Sequence, residues 1–441
     1  MRPSRTLITA FSLAFALSPS AQRSAFPPST ATPSSTLIAF EWHFRPDNPT
    51  PHIWTVDPSN PSTLSQLTFS QYEDLFPVWG PDGRSLVFTR FDRANGQMSL
   101  WTVQADGSHE IQITPWETSG SGAIVPHFWY TNDPAGYRIY LKTSIQSDPI
   151  FWAYSDGPSS QSLNAVAGSG GMLQPDISPD ETKVVAIGGG RILVAALSAS
   201  GNAVDNPITV FASPNPTLPE ITGELTAPEW SPNGERIAFG AGEGHRKANI
   251  YAIDALTGGN PMKLSFFGGA AEHASWSPDS SWIAAHESSA PASHIFVFPA
   301  DGSFSPAIQL TTGAVTNYAP DWQPFPFTPV EIDIKPGSEE NCLNSDGHGV
   351  IPVAILSTPT LDATQVDPTT VTLDGQSVRI VGSGNLQVHV QDVDADGLPD
   401  LLVQIEDTDG TYAPGSAIAT LRATTFQGLR ILGTDSICVV P

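Results

Sequence analysis

The densest chemistry in the sequence is an acidic loop, Asp392-Val393-Asp394-Ala395-Asp396-Gly397-Leu398-Pro399-Asp400. Side-chain oxygens of Asp392, Asp394, Asp396 and Asp400 stand at loop positions one, three, five and nine, with the Leu398 carbonyl at seven. Such a set can wrap a hard cation, and Gly397 at six permits the sharp turn that wrapping needs. Calcium is the ion this oxygen set suits. Position twelve is Val403 instead of a bidentate glutamate, so another oxygen or a water must complete the shell. The alternative is an acidic hairpin turn without metal.

Other candidates are sparser. Cys342 and Cys438 are the only cysteines. In an exported chain a lone pair favours one disulfide, and nothing around them has metal-site spacing. A second set of acids comes from a recurring pattern, in which Val78, His127, Asp176, Glu229, Ser275 and Asp321 each precede the tryptophan position of a repeat. Of these, His127, Asp176, Glu229 and Asp321 could face a central channel and hold a cation. Otherwise they hydrogen-bond to a turn or face water. No Gly-x-Ser-x-Gly nucleophile elbow occurs, and the ten histidines show no His-Glu-x-x-His spacing.

The elements that must position these groups are short strands. In Pro228-Glu229-Trp230-Ser231-Pro232-Asn233-Gly234-Glu235-Arg236-Ile237-Ala238-Phe239, Pro-Asn-Gly supplies a tight turn between two strands. Asn249–Asp254 and Met262–Ser265 read as the third and fourth. The pattern recurs at Pro77-Val78-Trp79, Pro175-Asp176-Ile177, Ala274-Ser275-Trp276 and Pro320-Asp321-Trp322, with a degenerate copy at Pro126-His127-Phe128-Trp129. Four strands per repeat at a period of about 50 residues predict a β-propeller. Thr36–Phe40 and the two strands after it lack a first strand, and Tyr318–Trp322 is a first strand with none following. Five complete units and one split unit make six blades, closed by pairing of the chain's two ends. Trp79, Trp230, Trp276 and Trp322 read as wedges between blades, not as a ligand cluster.

This repeat resembles that of the TolB-like propeller family over residues 36 to 325. The family's α/β domain before the propeller has no counterpart here. The resemblance implies fold more than function, since propellers host many activities. After a linker at 326–329, strands over 330–441 predict a β-sandwich, stapled by Cys342–Cys438. Ile332–Ser338, Gly349–Leu356 and the acidic loop resemble a C-terminal accessory module of exported bacterial proteins, for which no catalytic activity is implied. The acidic loop also resembles the calcium loops of dockerins and integrin-type repeats.

Residues 1–21 read as a signal peptide, with Arg2 and Arg5 before the short apolar run Thr6–Leu17, and residues 22–35 as a flexible leader. No other stretch is long and apolar enough to span a bilayer. A net charge of −25, from 44 acidic against 19 basic residues, lacks the basic footprint of a nucleic-acid binder. The expected protein is exported to the periplasm or medium, non-enzymatic, and binds a protein or glycan ligand. The alternative is a hydrolase or polysaccharide lyase using the central pocket, with His127 and His273 on inner strands.

Overall fold

The computed structural model describes residues 36–440 apart from 44–49, 119–123, 131–136, 144, 156, 158–159, 199, 244–246, 290–291, 304–305, 314, 326, 339, 345–348, 383, 408–411, 413 and 428. The signal peptide and leader expected at 1–21 and 22–35 lie outside the described residues, as does residue 326 of the linker. Strand dominates, and the helical turn Ala363–Gln365 is the one helix among the described residues.

The unit around Trp230 shows the plan. Leu225–Trp230, Arg236–Gly242, Ala248–Asp254 and Met262–Lys263 pair antiparallel in chain order. Units that begin at Glu73–Trp79, Ile124–Tyr130, Leu173–Ile177 and Ala270–Trp276 repeat it. One unit is split across the chain. Its first strand, Thr316–Trp322, pairs antiparallel with Ile38–His43, which continues into His52–Asp57 and Asn60–Gln66. The pairing of the two ends expected from the sequence is therefore present.

Turn chemistry explains the Ser-Pro-Asn-Gly signature. Ser231 Oγ donates to Asn233 Oδ1 at 2.7 Å and accepts the Arg236 N–H at 2.9 Å. Gly234 takes φ +73°, the left-handed conformation that the turn requires and glycine accepts without steric cost. Ser277–Asp279 and Ser178–Asp180 repeat the same contact at 2.5 Å.

Each of these cores forms between neighbouring units, because one four-stranded sheet cannot cover both of its faces. Trp230 packs with Ile237 and Phe239 of its own unit and with Val185 and Ile187 of the unit before. Trp276, Trp322 and Trp79 do the same at their junctions, and all four indoles are buried. The wedge reading of the tryptophans holds.

The C-terminal part consists of two sheets over one core. One contains Arg430–Val440, Gly415–Thr424, Thr372–Leu373 and Gln376–Ser377; the other contains Ile332–Ile334, Val350–Ile355, Asp400–Glu406 and Val388–Gln391. Period-two burial supplies the facing side chains: Ile351, Val353 and Ile355, Leu401, Val403 and Ile405, and Ala419, Leu421 and Ala423. Arg430–Val440 was not among the expected strands, since Gly433 and the polar run Thr434–Ser436 interrupt its apolar alternation. Cys342 and Cys438 are directly paired across neighbouring parallel strands and form a disulfide.

Candidate functional site

Every first strand except Ile124–Tyr130 carries a left-handed residue just before the recurring Pro or Ala: Phe76 at φ +55°, Gln174 at +47°, Ala227 at +40°, His273 at +50° and Ala319 at +46°. Register shifts in the strand pairing mark these points as β-bulges. A bulge sets two residues against one and re-aims the side chains that follow it. Strain of this kind persists only where the surroundings fix it. At two of the five points the neighbouring unit supplies an acceptor: the Phe76 N–H donates to Glu41 Oε1 at 2.7 Å and the Ala227 N–H to Gln174 Oε1 at 2.9 Å.

The residue before each wedge position then reaches the next unit. The Trp230 N–H donates to Asp176 Oδ2 (2.7 Å), the Trp276 N–H to Glu229 Oε1 (3.1 Å), the Trp322 N–H to Ser275 Oγ (3.0 Å) and the Trp79 N–H to Asp321 Oδ2 (2.5 Å). The Ser275 hydroxyl lies 3.2 Å from Glu229 Oε1 and 3.3 Å from Asp321 Oδ1, so it can donate to either. These acids clasp backbone from unit to unit. They are not among the described groups of three ligand atoms close enough to share one ion.

The placement of His127 needs correction. Trp129 pairs with Ile139 as Trp230 pairs with Ile237, so Phe128, not His127, occupies the position of Glu229. Pro126-His127-Phe128-Trp129 holds one residue more between proline and tryptophan than the other repeats, and the extra residue is absorbed in the strand's register shift. His127 still lines the cavity described below.

Burial governs the charge of the clasp. It pushes Asp176 and Asp321 up to about 7, against the backbone N–H bonds that favour the carboxylate. Glu229 is raised well above the usual carboxylate range by burial first and by the charges of Asp176 and Asp321 next. His127 is pulled down to about 3 by burial, with His273 and Lys142 adding to the effect.

A cavity of about 1530 Å³ runs along the first strands, past Asp176, Glu229, Asp321 and His127. Its wall is completed by residues of the C-terminal part, among them Thr370, Arg422, Phe426 and Arg430. Arg430 joins the two parts: its Nη1 donates to the Pro81 carbonyl at 2.8 Å, and its guanidinium lies 4.0 Å over the Phe327 ring. Phe426 and Leu256 bring exposed apolar side chains to the cavity from the two sides.

No protein-family model matches the sequence, and no curated protein sequence matches it. Among solved structures, TolB from Acinetobacter baumannii is similar at 15% identity and a TM-score of 0.52, over 67% of this chain and 69% of that one. This chain has a TolB-like β-propeller fold. A putative TolB from Agrobacterium tumefaciens (14% identity, TM-score 0.42, 66% of this chain and 100% of that one) and a nidogen/laminin complex (10%, 0.47, 65% and 98%) are also found, and at those scores carry no argument. Identity this low establishes the fold of the propeller and nothing of its ligand.

Among the described residues, two groups of ligand-type side chains converge elsewhere. In the propeller, ligand atoms of Glu272, His273 and His286 all lie within 4.8 Å of one another. Of these three, the sequence alone singles out His273. Its partners come from the residue beside it and from the adjacent strand, a placement that no linear spacing reveals. In the acidic loop the convergent set is Asp392, Asp394 and Asp400. Asp396 turns to accept the Leu398 N–H at 2.7 Å, and Gly397 takes φ +92° and donates to Asp392 Oδ2 at 3.0 Å. Asp400 is fully buried and accepts the Ser357 and Val393 N–H groups, both at 2.7 Å. Leu398 lies within the same loop. No helix among the described residues is long and apolar enough to cross a membrane.

Proposed function

We propose that this chain is an exported, non-enzymatic binding protein. In this reading a six-bladed propeller, closed by Thr316–Trp322 on Ile38–His43, and a C-terminal β-sandwich enclose one channel that takes a protein segment or a glycan. The observation that carries the reading is the shared wall of the cavity, with Phe426 from one part and Leu256 from the other offering apolar faces to a ligand. Sugar rings and apolar side chains both stack on such faces. Export is supported by the disulfide and by the signal-like start of the sequence.

The test is binding of the full chain to an oligosaccharide panel and to peptides from envelope and medium. Saturable binding should weaken at least about tenfold in a Phe426→Ala, Leu256→Ser double variant, the loss expected when buried apolar contacts are removed. Undiminished affinity would place the ligand outside the channel.

Calcium at Asp392, Asp394 and Asp400 is the second part of the proposal, with Asp396 and the Leu398 carbonyl available to complete the shell. Calcium should raise the temperature of the C-terminal unfolding transition in the full chain, and magnesium less so. Asp394→Ala should remove the response. Superimposable curves with chelator and with millimolar calcium would leave an acidic turn. A second reading, a hydrolase or polysaccharide lyase working in the channel, draws on His127 and His273 in its wall. Turnover of any panel glycan would favour it.

A further inference from the structure

Glu272 and His286 are direct partners across the antiparallel pair Ala270–Trp276 and Trp282–Ser289. Cross-strand partners hold their side chains about 4.5–5.5 Å apart at Cβ. The bulge sets His273 and Ala274 against the single residue Ala285 beside His286, and the left-handed backbone at His273 re-aims its imidazole toward the point where Glu272 and His286 face each other. The outcome is two stacked imidazoles with ring centroids 5.3 Å apart and a carboxylate beside them.

None of the three side chains takes a hydrogen bond among the described residues. The Nδ1 atoms of His273 and His286 are buried without a partner, and His286 as a whole is 3% exposed. An unpaired buried polar group is costly, and two adjacent imidazoles in that state call for a ligand. Hydrophobic packing of the histidines does not explain the carboxylate. An ion pair explains one imidazole at most.

We propose that Glu272, His273 and His286 bind a divalent first-row transition ion of the zinc class. Two imidazoles and one carboxylate form the borderline nitrogen and oxygen donor set that such ions prefer, and they differ in kind from the all-oxygen acidic loop. His273 belongs to the cavity wall, which places the site beside the channel. The proposal is independent of what the channel binds, and it requires no catalytic step.

The experiment uses the full chain carrying Asp394→Ala, stripped with chelator and titrated with Zn²⁺, and separately with Co²⁺ followed by its visible absorption. Millimolar calcium is kept present to occupy any remaining oxygen sites. One equivalent of Zn²⁺ should bind, with a cobalt spectrum of nitrogen and oxygen ligation. Glu272→Gln and His273→Gln should each weaken binding at least about tenfold, the lower bound for disturbing a metal's ligand environment. Circular dichroism confirms that a variant is folded before it is read. Should both variants misfold, the unsubstituted site still decides the matter through the cobalt spectrum. Absence of stoichiometric Zn²⁺ binding at micromolar concentration, a cobalt spectrum of oxygen ligation alone, or equal affinity in the folded variants would overturn the proposal.

Discussion

Two arcs of the propeller's inner ring solve the same problem differently. From Asp176 through Glu229 and Ser275 to Asp321, each residue before the wedge position accepts the backbone N–H of the next unit. Val78 and Phe128 stand at the corresponding points of the other arc and have no acceptor to offer. There the junctions rely on apolar contact: Val87 and Leu100 pack against Trp129 and Ile139, and Phe128 and Tyr140 against Val184 and Ala186. Polar clasps fix one geometry because an orphaned buried N–H is penalised, whereas apolar wedges contribute area with less direction. The clasped arc is also where the propeller's first and last strands meet.

The largest effect is expected at the wedge of the closing strand. Trp322 is buried, and its Nε1 donates to Thr36 Oγ1 at 2.9 Å. Trp322→Ala should cost about 3–5 kcal/mol, read by chemical denaturation. Ile177→Ala, at the half-buried wedge position following Phe128, should cost less. The reverse order would mean that the seam is not where the ring depends most on packing.

A smaller effect is expected from the clasp itself. Asp321→Ala leaves the Trp79 N–H without its acceptor and should destabilise by roughly 1–3 kcal/mol at pH 5. At pH 8 part of that loss is offset, because the substitution also removes a carboxylate that burial disfavours in its charged form. Equal costs at the two pH values would mean that the charge of Asp321 carries no penalty in the folded chain.

Much of this was legible in the sequence. Pro-x-Trp followed by Ser-Pro-Asn-Gly marks the turn chemistry, and the unpaired fragments near Ile38 and Trp322 announce the split unit. The alternation Ile351, Val353, Ile355 marks a strand with one buried face, and Cys342 had a single possible partner. What escaped notice was set by three-dimensional offsets. A bulge changes which face a residue presents, so the roles of Gln174 and Ser275 depend on a backbone conformation that L-residues rarely adopt. The extra residue in Pro126-His127-Phe128-Trp129 moved His127 off the ring by one step. His286 joins Glu272 only through strand register. The lining contributed by Phe426 and Arg430 depends on how the C-terminal part meets the propeller, which no local pattern encodes.

The ring acids hold units together through their N–H bonds, and burial makes the folded ring most stable when they are protonated. Asp176 and Asp321 are raised in the folded chain, so the stability they contribute is full below the unfolded carboxylate value near 4 and is lost as pH rises through about 7. Buried His127, His273 and His286 act in the opposite sense, because their lowered values cost stability as pH falls below about 6.5. A difference between two proteins isolates the acids. The measurement is thermal unfolding from pH 5 to pH 8 of the native chain and of an Asp176→Asn, Asp321→Asn double variant, which keeps an acceptor for each N–H and removes the titration. The variant's melting temperature should rise relative to the native chain across that range by at least about 3 °C, corresponding to roughly 1 kcal/mol. Parallel profiles would mean that Asp176 and Asp321 contribute no pH-dependent stability.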